Sequence, residues 1–175
     1  MSISNIIKLL SAAFISVASV ISAKGQEVNL KEGDEAPDFT LQTDEGNWVK
    51  LSDYKAKSNV ILYFYPKDMT SGCTKEACHF RDNLSQFKDY NTVVLGVSTD
   101  DVTSHKAFKE KENLNFTLLA DPDKEVIKKY GVLSSYGLAS RVTFVIDKNG
   151  IIRKIYDKVD VNENYKELLD FIKAL

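Results

Sequence analysis

Three unbroken apolar runs constrain the fold of this chain more than any other feature. They are "NVILYFY" (Asn59 to Tyr65), "TVVLGVST" (Thr92 to Thr99) and "RVTFVID" (Arg141 to Asp147). A strand with one wet face alternates apolar and polar residues, whereas a strand covered on both faces has no reason to alternate. The runs therefore predict central strands of a sheet with helices packed on both sides.

Helical patterns fill the intervals. "CTKEACHFRDNLSQF" follows the first run, and "DDVTSHKAFKEKENL" follows the second with Asp100 or Asp101 as its N-cap. "DPDKEVIKKYG" offers Asp121 as a cap, Pro122 as the first helical residue and Gly131 just past the end. "VNENYKELLDFIKAL" sets Tyr165, Leu168, Leu169, Ile172 and Leu175 on one stripe. Before the first run, "DFTLQT" and "NWVKLSDY" alternate around "DEG" and read as a hairpin. After the third, "KNG" turns the chain into "GIIRKIYDK" and makes a second hairpin. This order describes an α/β protein with a mixed central sheet flanked by helices. It matches a thioredoxin-like fold carrying an N-terminal β-hairpin and an inserted helix.

The chain has 175 residues and a formal net charge of −2. Both signs are well mixed, so nothing suggests a nucleic-acid partner. The first 23 residues read as a signal peptide: Met1 to Lys8 carries one charge, Leu9 to Ile21 is uncharged and largely apolar, and Ala23 closes a small-residue site. The apolar run falls short of the roughly 20 residues that span a bilayer. We expect a signal peptide over 1–23, a polar leader loop over 24–37 and one folded domain over 38–175. The expected location is outside the cytoplasm, in a bacterial periplasm, with no stable membrane insertion after cleavage. Retention of the segment as an N-terminal anchor is the alternative.

The only two cysteines lie in "YPKDMTSGCTKEACHFRD", Tyr65 to Asp82. Cys73 falls just after a buried strand, where a helix begins and where Thr70 or Ser71 can cap it. Unpaired N–H groups and the positive end of the helix dipole favour a thiolate at such a position. Cys78 follows five residues later, which in a helix is an advance of about 7.5 Å and a turn of about 140°. Side chains placed so far apart cannot form a disulfide without backbone movement. The two thiols either stay reduced or join when the first turns unwind, as a sulfenic acid and the thiol that attacks it would require. Cys73, Cys78 and His79 form a soft set of metal ligands, but residues at i, i+5 and i+6 do not converge on a regular helix. A CxxC pair is absent, which disfavours a zinc ribbon or a dithiol exchanger. His79 reads as a helix-face residue and His105 as a solvated or capping one.

The segment resembles the active-site region of the peroxiredoxins, most closely the bacterioferritin-comigratory or PrxQ group. The shared pattern is Pro66, Thr70 and Cys73 as PxxxTxxC, with Cys78 five residues on. "GVSTDDVTSHKAFKEKENLNFTLLADPDKEVIKKYGV" and "SRVTFVIDKNGIIRKIY" continue the resemblance, which covers nearly all of the chain from about Leu30. It implies a peroxidase acting on hydrogen peroxide and organic hydroperoxides. Cys73 would attack and Cys78 would resolve. Thr70 would orient the peroxide, Arg141 would stabilise thiolate and leaving oxygen, and Pro66 would shield the site. Glu76 could pair with an arginine nearby. A thioredoxin, or an exported thioredoxin-like dithiol, would be the reductant. No metal or organic cofactor would be needed, and a monomer or weak dimer would suffice. The chain departs from the family in having Ser71 where proline is usual. Two rival functions on the same fold are an exported copper-binding protein and a thiol–disulfide exchange protein.

Overall fold

A computed structural model describes residues 30–175. The expected signal peptide, and the leader as far as residue 29, lie outside the described residues. Seven strands form one sheet: β1 (Thr40–Thr43), β2 (Trp48–Lys50), β3 (Asn59–Phe64), β4 (Thr92–Ser98), β5 (Thr117–Ala120), β6 (Val142–Ile146) and β7 (Ile152–Tyr156). Their order across the sheet is β2-β1-β5-β4-β3-β6-β7. Pairs β3–β4 and β4–β5 are parallel, and the others are antiparallel. The sheet is mixed, as the sequence predicts.

Four helices cover it: α1 (Ser71–Asp89), α2 (Val102–Glu112), α3 (Glu125–Lys129) and α4 (Asn164–Lys173). Alternate residues of β3 feed opposite cores. Ile61, Tyr63 and Tyr65 pack with Ala77 and Phe80 of α1, Phe108 of α2 and Leu168 of α4. Leu62 and Phe64 pack on the other side with Ile127 of α3, Phe39 and Leu51. Both faces of β3 are buried, so its run is continuous. Burial of each such side chain contributes about 1.5–3 kcal/mol. On α1 the inward residues are Cys73, Ala77, Phe80, Leu84 and Phe87, spaced by four and three. That spacing fixes which side of the helix start faces the sheet.

Several sequence expectations are corrected here. The second arm of the first hairpin keeps strand form only to Lys50, and Leu51–Tyr54 is a 3₁₀ turn. Strand β5 escapes sequence analysis altogether. Its four residues, TLLA, carry no alternation, and pairing with β4 and β1 on either side makes them a strand. Helix α3 starts at Glu125, not at Pro122. Asp121 still serves it, because its carboxylate accepts from the N–H groups of Glu125 and Ile127. Gly131 follows the end of α3 with φ +69°, the left-handed conformation glycine suits. Leu168, Leu169 and Ile172 of the α4 stripe are buried, but Leu175 lies past the helix end and is exposed.

Gly96 of β4 sits under the ring of Tyr63. A Cβ at this position would lie 2.7 Å from two ring carbons and the hydroxyl oxygen of Tyr63. Only glycine leaves room for the tyrosine in this position.

Candidate active site

Strand β3 delivers the chain to a short loop, Tyr65 to Thr70, and α1 begins at Ser71. Cys73 is on the first turn and only 2 % exposed. Its thiol faces the sheet side of the helix, among Tyr63, Tyr65 and Phe80. Such apolar walls favour a neutral thiol, so a charged partner must supply what water cannot.

Arg141 is that partner. It lies on the segment entering β6, the strand beside β3, and its Nη2 donates to Cys73 Sγ at 3.2 Å. Its Nη1 donates to Oε2 of Glu76 on the next turn of α1. One guanidinium thus binds both groups through its fixed fork of donors. Arg141 is half-buried, which would weaken its charge, but Glu76 and Cys73 hold it protonated. Glu76 is nearly inaccessible, and burial outweighs the guanidinium to push its carboxyl up to about 7. Its other oxygen, Oε1, has no hydrogen-bond partner among the described residues. Gly72 leaves the guanidinium room, since a Cβ there would touch Nη2 at 3.4 Å.

Thr70 occupies the N-cap position, but its side chain accepts from no first-turn N–H. Its hydroxyl donates to Lys67 O at 3.0 Å, and its backbone carbonyl takes the Thr74 N–H at 2.8 Å. The hydroxyl oxygen keeps lone pairs to accept a bond at the exposed mouth of the site. Ser71 is the first helical residue and is exposed, so neither residue caps the helix through its side chain. Pro66 stands half-buried at the bend that ends β3.

Cys78 lies on the same continuous helix as Cys73, and both thiols are free. It is half-buried and faces another way, with Sγ 4.0 Å from Glu112 Oε2 at the end of α2. Burial pushes the Cys78 thiol up, and Glu112 adds to this against the pull of Arg81. His79 points elsewhere again, with Nδ1 2.7 Å from Val161 O and its ring against Tyr165. The three soft groups thus have three separate sets of neighbours.

His105 corrects the sequence reading. It is fully buried, neither solvated nor a cap. Its Nδ1 is 2.9 Å from Asp68 Oδ2, and its Nε2 is 3.1 Å from Leu119 O. Asp68 belongs to the loop that precedes Cys73. The signal was present in α2, where His105, Phe108 and Glu112 fall at i, i+3 and i+7 on the inward face.

The AhpC/TSA family model matches residues 32–155. The chain is similar to peroxiredoxin Bcp of Bacillus subtilis, at 43 % identity over 155 residues, 85 % of this chain and 98 % of the relative. It is also similar to the crystal structure of peroxidoxin BcpB from Mycobacterium tuberculosis. That match has TM-score 0.78 and 34 % identity, covering 83 % of this chain and 98 % of the other. A third similarity is to the bacterioferritin comigratory protein of Xanthomonas campestris, whose trapped-intermediate and ligand-complex structures concern alkyl peroxide reduction. Here the TM-score is 0.74 and the identity 30 %, over 78 % of this chain and 90 % of the other.

Proposed function

This chain belongs to the AhpC/TSA family and is a peroxiredoxin, a thiol peroxidase; on that premise we propose that Cys73 attacks the peroxide and that Cys78 resolves the product. The observation that carries this reading is the guanidinium of Arg141 donating to a buried thiol at a helix start.

In the first step the Cys73 thiolate attacks one peroxide oxygen. An S–O bond forms, the O–O bond breaks, and the second oxygen leaves as hydroxide or alkoxide and takes up a proton. Cys73 becomes a sulfenic acid, and water or an alcohol departs. Arg141 stands beside the sulfur with donors that can follow the charge onto the leaving oxygen, the kind of preorganised stabilisation that lowers such barriers. Thr70 at the mouth of the site can hold the O–O axis in line.

In the second step the Cys78 thiol attacks the Cys73 sulfur. An S–S bond forms, the S–O bond breaks and water leaves. Inside an intact helix the two thiols are separated by about 7.5 Å of rise and about 140° of rotation. The start of α1 must therefore open before they meet. An external dithiol of the thioredoxin type then exchanges with the disulfide and returns both thiols. Hydrogen peroxide and organic hydroperoxides both fit this chemistry, and the alkyl peroxide reduction of the Xanthomonas campestris relative supports the second class. With the signal sequence expected over 1–23, the reaction would run outside the cytoplasm with an exported reductant. Resolution within one chain lets a monomer or weak dimer complete the cycle.

The test uses reduced protein and one equivalent of hydrogen peroxide. Non-reducing peptide mapping should find a Cys73–Cys78 cross-link in the parent. Cys78→Ser should stop at the sulfenic acid, and Cys73→Ser should lose peroxide consumption by on the order of 10³-fold or more. Normal consumption by Cys73→Ser, or a parent that oxidises with no such cross-link, ends the proposal. Stoichiometric copper binding by the two thiols would favour the metal-handling rival instead.

A further inference from the structure

Helix α2 reaches the catalytic loop through a buried cluster that the peroxidase chemistry leaves unused. Asp68, two residues before Thr70, has its N–H and both carboxylate oxygens engaged. Its N–H donates to Asp100 Oδ2 at 2.9 Å. Its Oδ1 accepts from the Tyr65 hydroxyl at 2.7 Å. Its Oδ2 accepts from Ser104 Oγ at 2.7 Å and lies 2.9 Å from His105 Nδ1. These partners come from the end of β3, the β4–α2 turn and α2 itself.

The other ring nitrogen of His105 faces the carbonyl of Leu119 on β5, which can only accept, so Nε2 carries a proton. Burial pushes the Asp68 carboxyl up, but its bonds to His105, Tyr65 and Ser104 outweigh that and hold it below the usual range. The ring is held at both nitrogens, by the Asp68 carboxylate and the Leu119 carbonyl, and His105 and Asp68 are both buried. A buried polar pair of this kind contributes little net stability, because desolvation offsets the attraction. What it does supply is a fixed geometry.

The geometry it fixes is a strained one. Met69, between Asp68 and Thr70, has φ +59° and an exposed side chain. The left-handed conformation is disfavoured for residues other than glycine, asparagine and aspartate. Methionine has no local hydrogen bond to offset it, so its neighbours must impose it. On one side stands the Asp68 cluster, and on the other the Thr70 hydroxyl bonded to Lys67 O. This kink turns the chain from β3 into α1 and so determines where Cys73 stands relative to Arg141.

We propose that His105 and Asp68 are positioning residues for the peroxide step: the pair clamps the Lys67–Thr70 loop so that Thr70 and the first turn of α1 are held in register with Arg141. The inference rests on the peroxidase reading for its rate effect, but the clamp itself can be read without turnover.

The experiment compares His105→Phe, which keeps the volume and loses both bonds, with His105→Gln, which keeps a donor. Stopped-flow measurement gives the second-order rate of Cys73 oxidation. Amide exchange, followed by NMR, is read at Asp68 and Thr74, whose N–H groups are bonded in the fold, and at β3 and β4. His105→Phe is expected to slow oxidation about tenfold or more, since small displacements of reacting groups carry such costs. It should speed exchange at Asp68 and Thr74 by at least as much, well beyond any change at β3 and β4. His105→Gln should recover part of both effects. Oxidation within twofold of the parent alongside a lowered Tm would overturn the clamp, as would exchange rising equally at all sites. If His105→Phe does not fold, Ser104→Ala removes one bond to Asp68. Faster exchange at Asp68 then supports the proposal, and exchange unchanged there defeats it. A parent that consumes no peroxide would sink the peroxidase reading, while the exchange arm would still decide the clamp.

Discussion

Cys73 and Cys78 lie five residues apart on one helix, yet they face different charged groups. Cys73 is buried against the sheet and receives a hydrogen bond from a guanidinium. Cys78 is half-buried and looks at the carboxylate of Glu112, which joins burial in pushing its thiol up. The first environment sets a guanidinium donor directly on the sulfur. The second favours a protonated thiol. Each thiol's surroundings are therefore set by the element opposite it: the β6 entry for Cys73 and the end of α2 for Cys78.

Removing the guanidinium should collapse the contrast most. Arg141→Met leaves Cys73 among apolar walls with no cation, and the rate of its oxidation by peroxide should fall by roughly 10²–10³-fold, the loss typical of a preorganised donor at a charged transition state. Stopped-flow oxidation of Cys73 measures it. A fall of less than threefold would mean that the helix start alone activates the thiol.

A smaller effect belongs to Glu76, which shares Arg141 with Cys73. Its carboxyl is pushed up to about 7 in the fold, above the ordinary value of 4.5. The folded state therefore holds this proton where the unfolded state has lost it. The associated stability is fully present below pH about 4.5, declines as pH rises, and is gone above about 7. Glu76→Gln should flatten this part of the profile, by a few kcal/mol at most. Urea midpoints for parent and variant at about pH 5 and about pH 8 test the sign. Parallel profiles for the two proteins would place the carboxyl at its ordinary value.

Glu112→Gln should have the smallest effect and should blur the contrast from the other side. Without the carboxylate the Cys78 thiol ionises more readily, though burial, the larger influence, remains. In a Cys73→Ser background, alkylation of Cys78 near neutral pH should quicken by only a few-fold. No change at all would show that Glu112 does not set the state of this thiol.

The fold was legible in sequence wherever a segment carried its own pattern. The runs of β3, β4 and β6 are mostly apolar and lack the alternation that would turn one face toward water, and α1 and α4 repeat apolar residues at helical spacing. Strand β5 lacked such a pattern, since TLLA becomes a strand through its neighbours on both sides. At the site, the position of Cys73 at a helix start and the spacing to Cys78 followed from the chain alone. The resemblance to peroxiredoxins added Thr70, Pro66 and Arg141.

His105 and Glu76 show where that reading stopped. A histidine in a charged helix, such as "SHKAFKEKE", is ordinarily solvated. This one is buried because Asp68 and the Leu119 carbonyl, far from it in sequence, meet its two nitrogens. For Glu76 the sequence allowed a pairing with some nearby arginine, but only the sheet shows that Arg141 is the one, brought to it from 65 residues away. The sequence by itself determined the central strands β3, β4 and β6, the start of α1 and the interval between the thiols, because these depend on local geometry and the period of apolar residues. Only the tertiary structure decided which charges face which thiol. Such pairings join residues distant in the chain, and whether a charge is buried depends on everything packed around it.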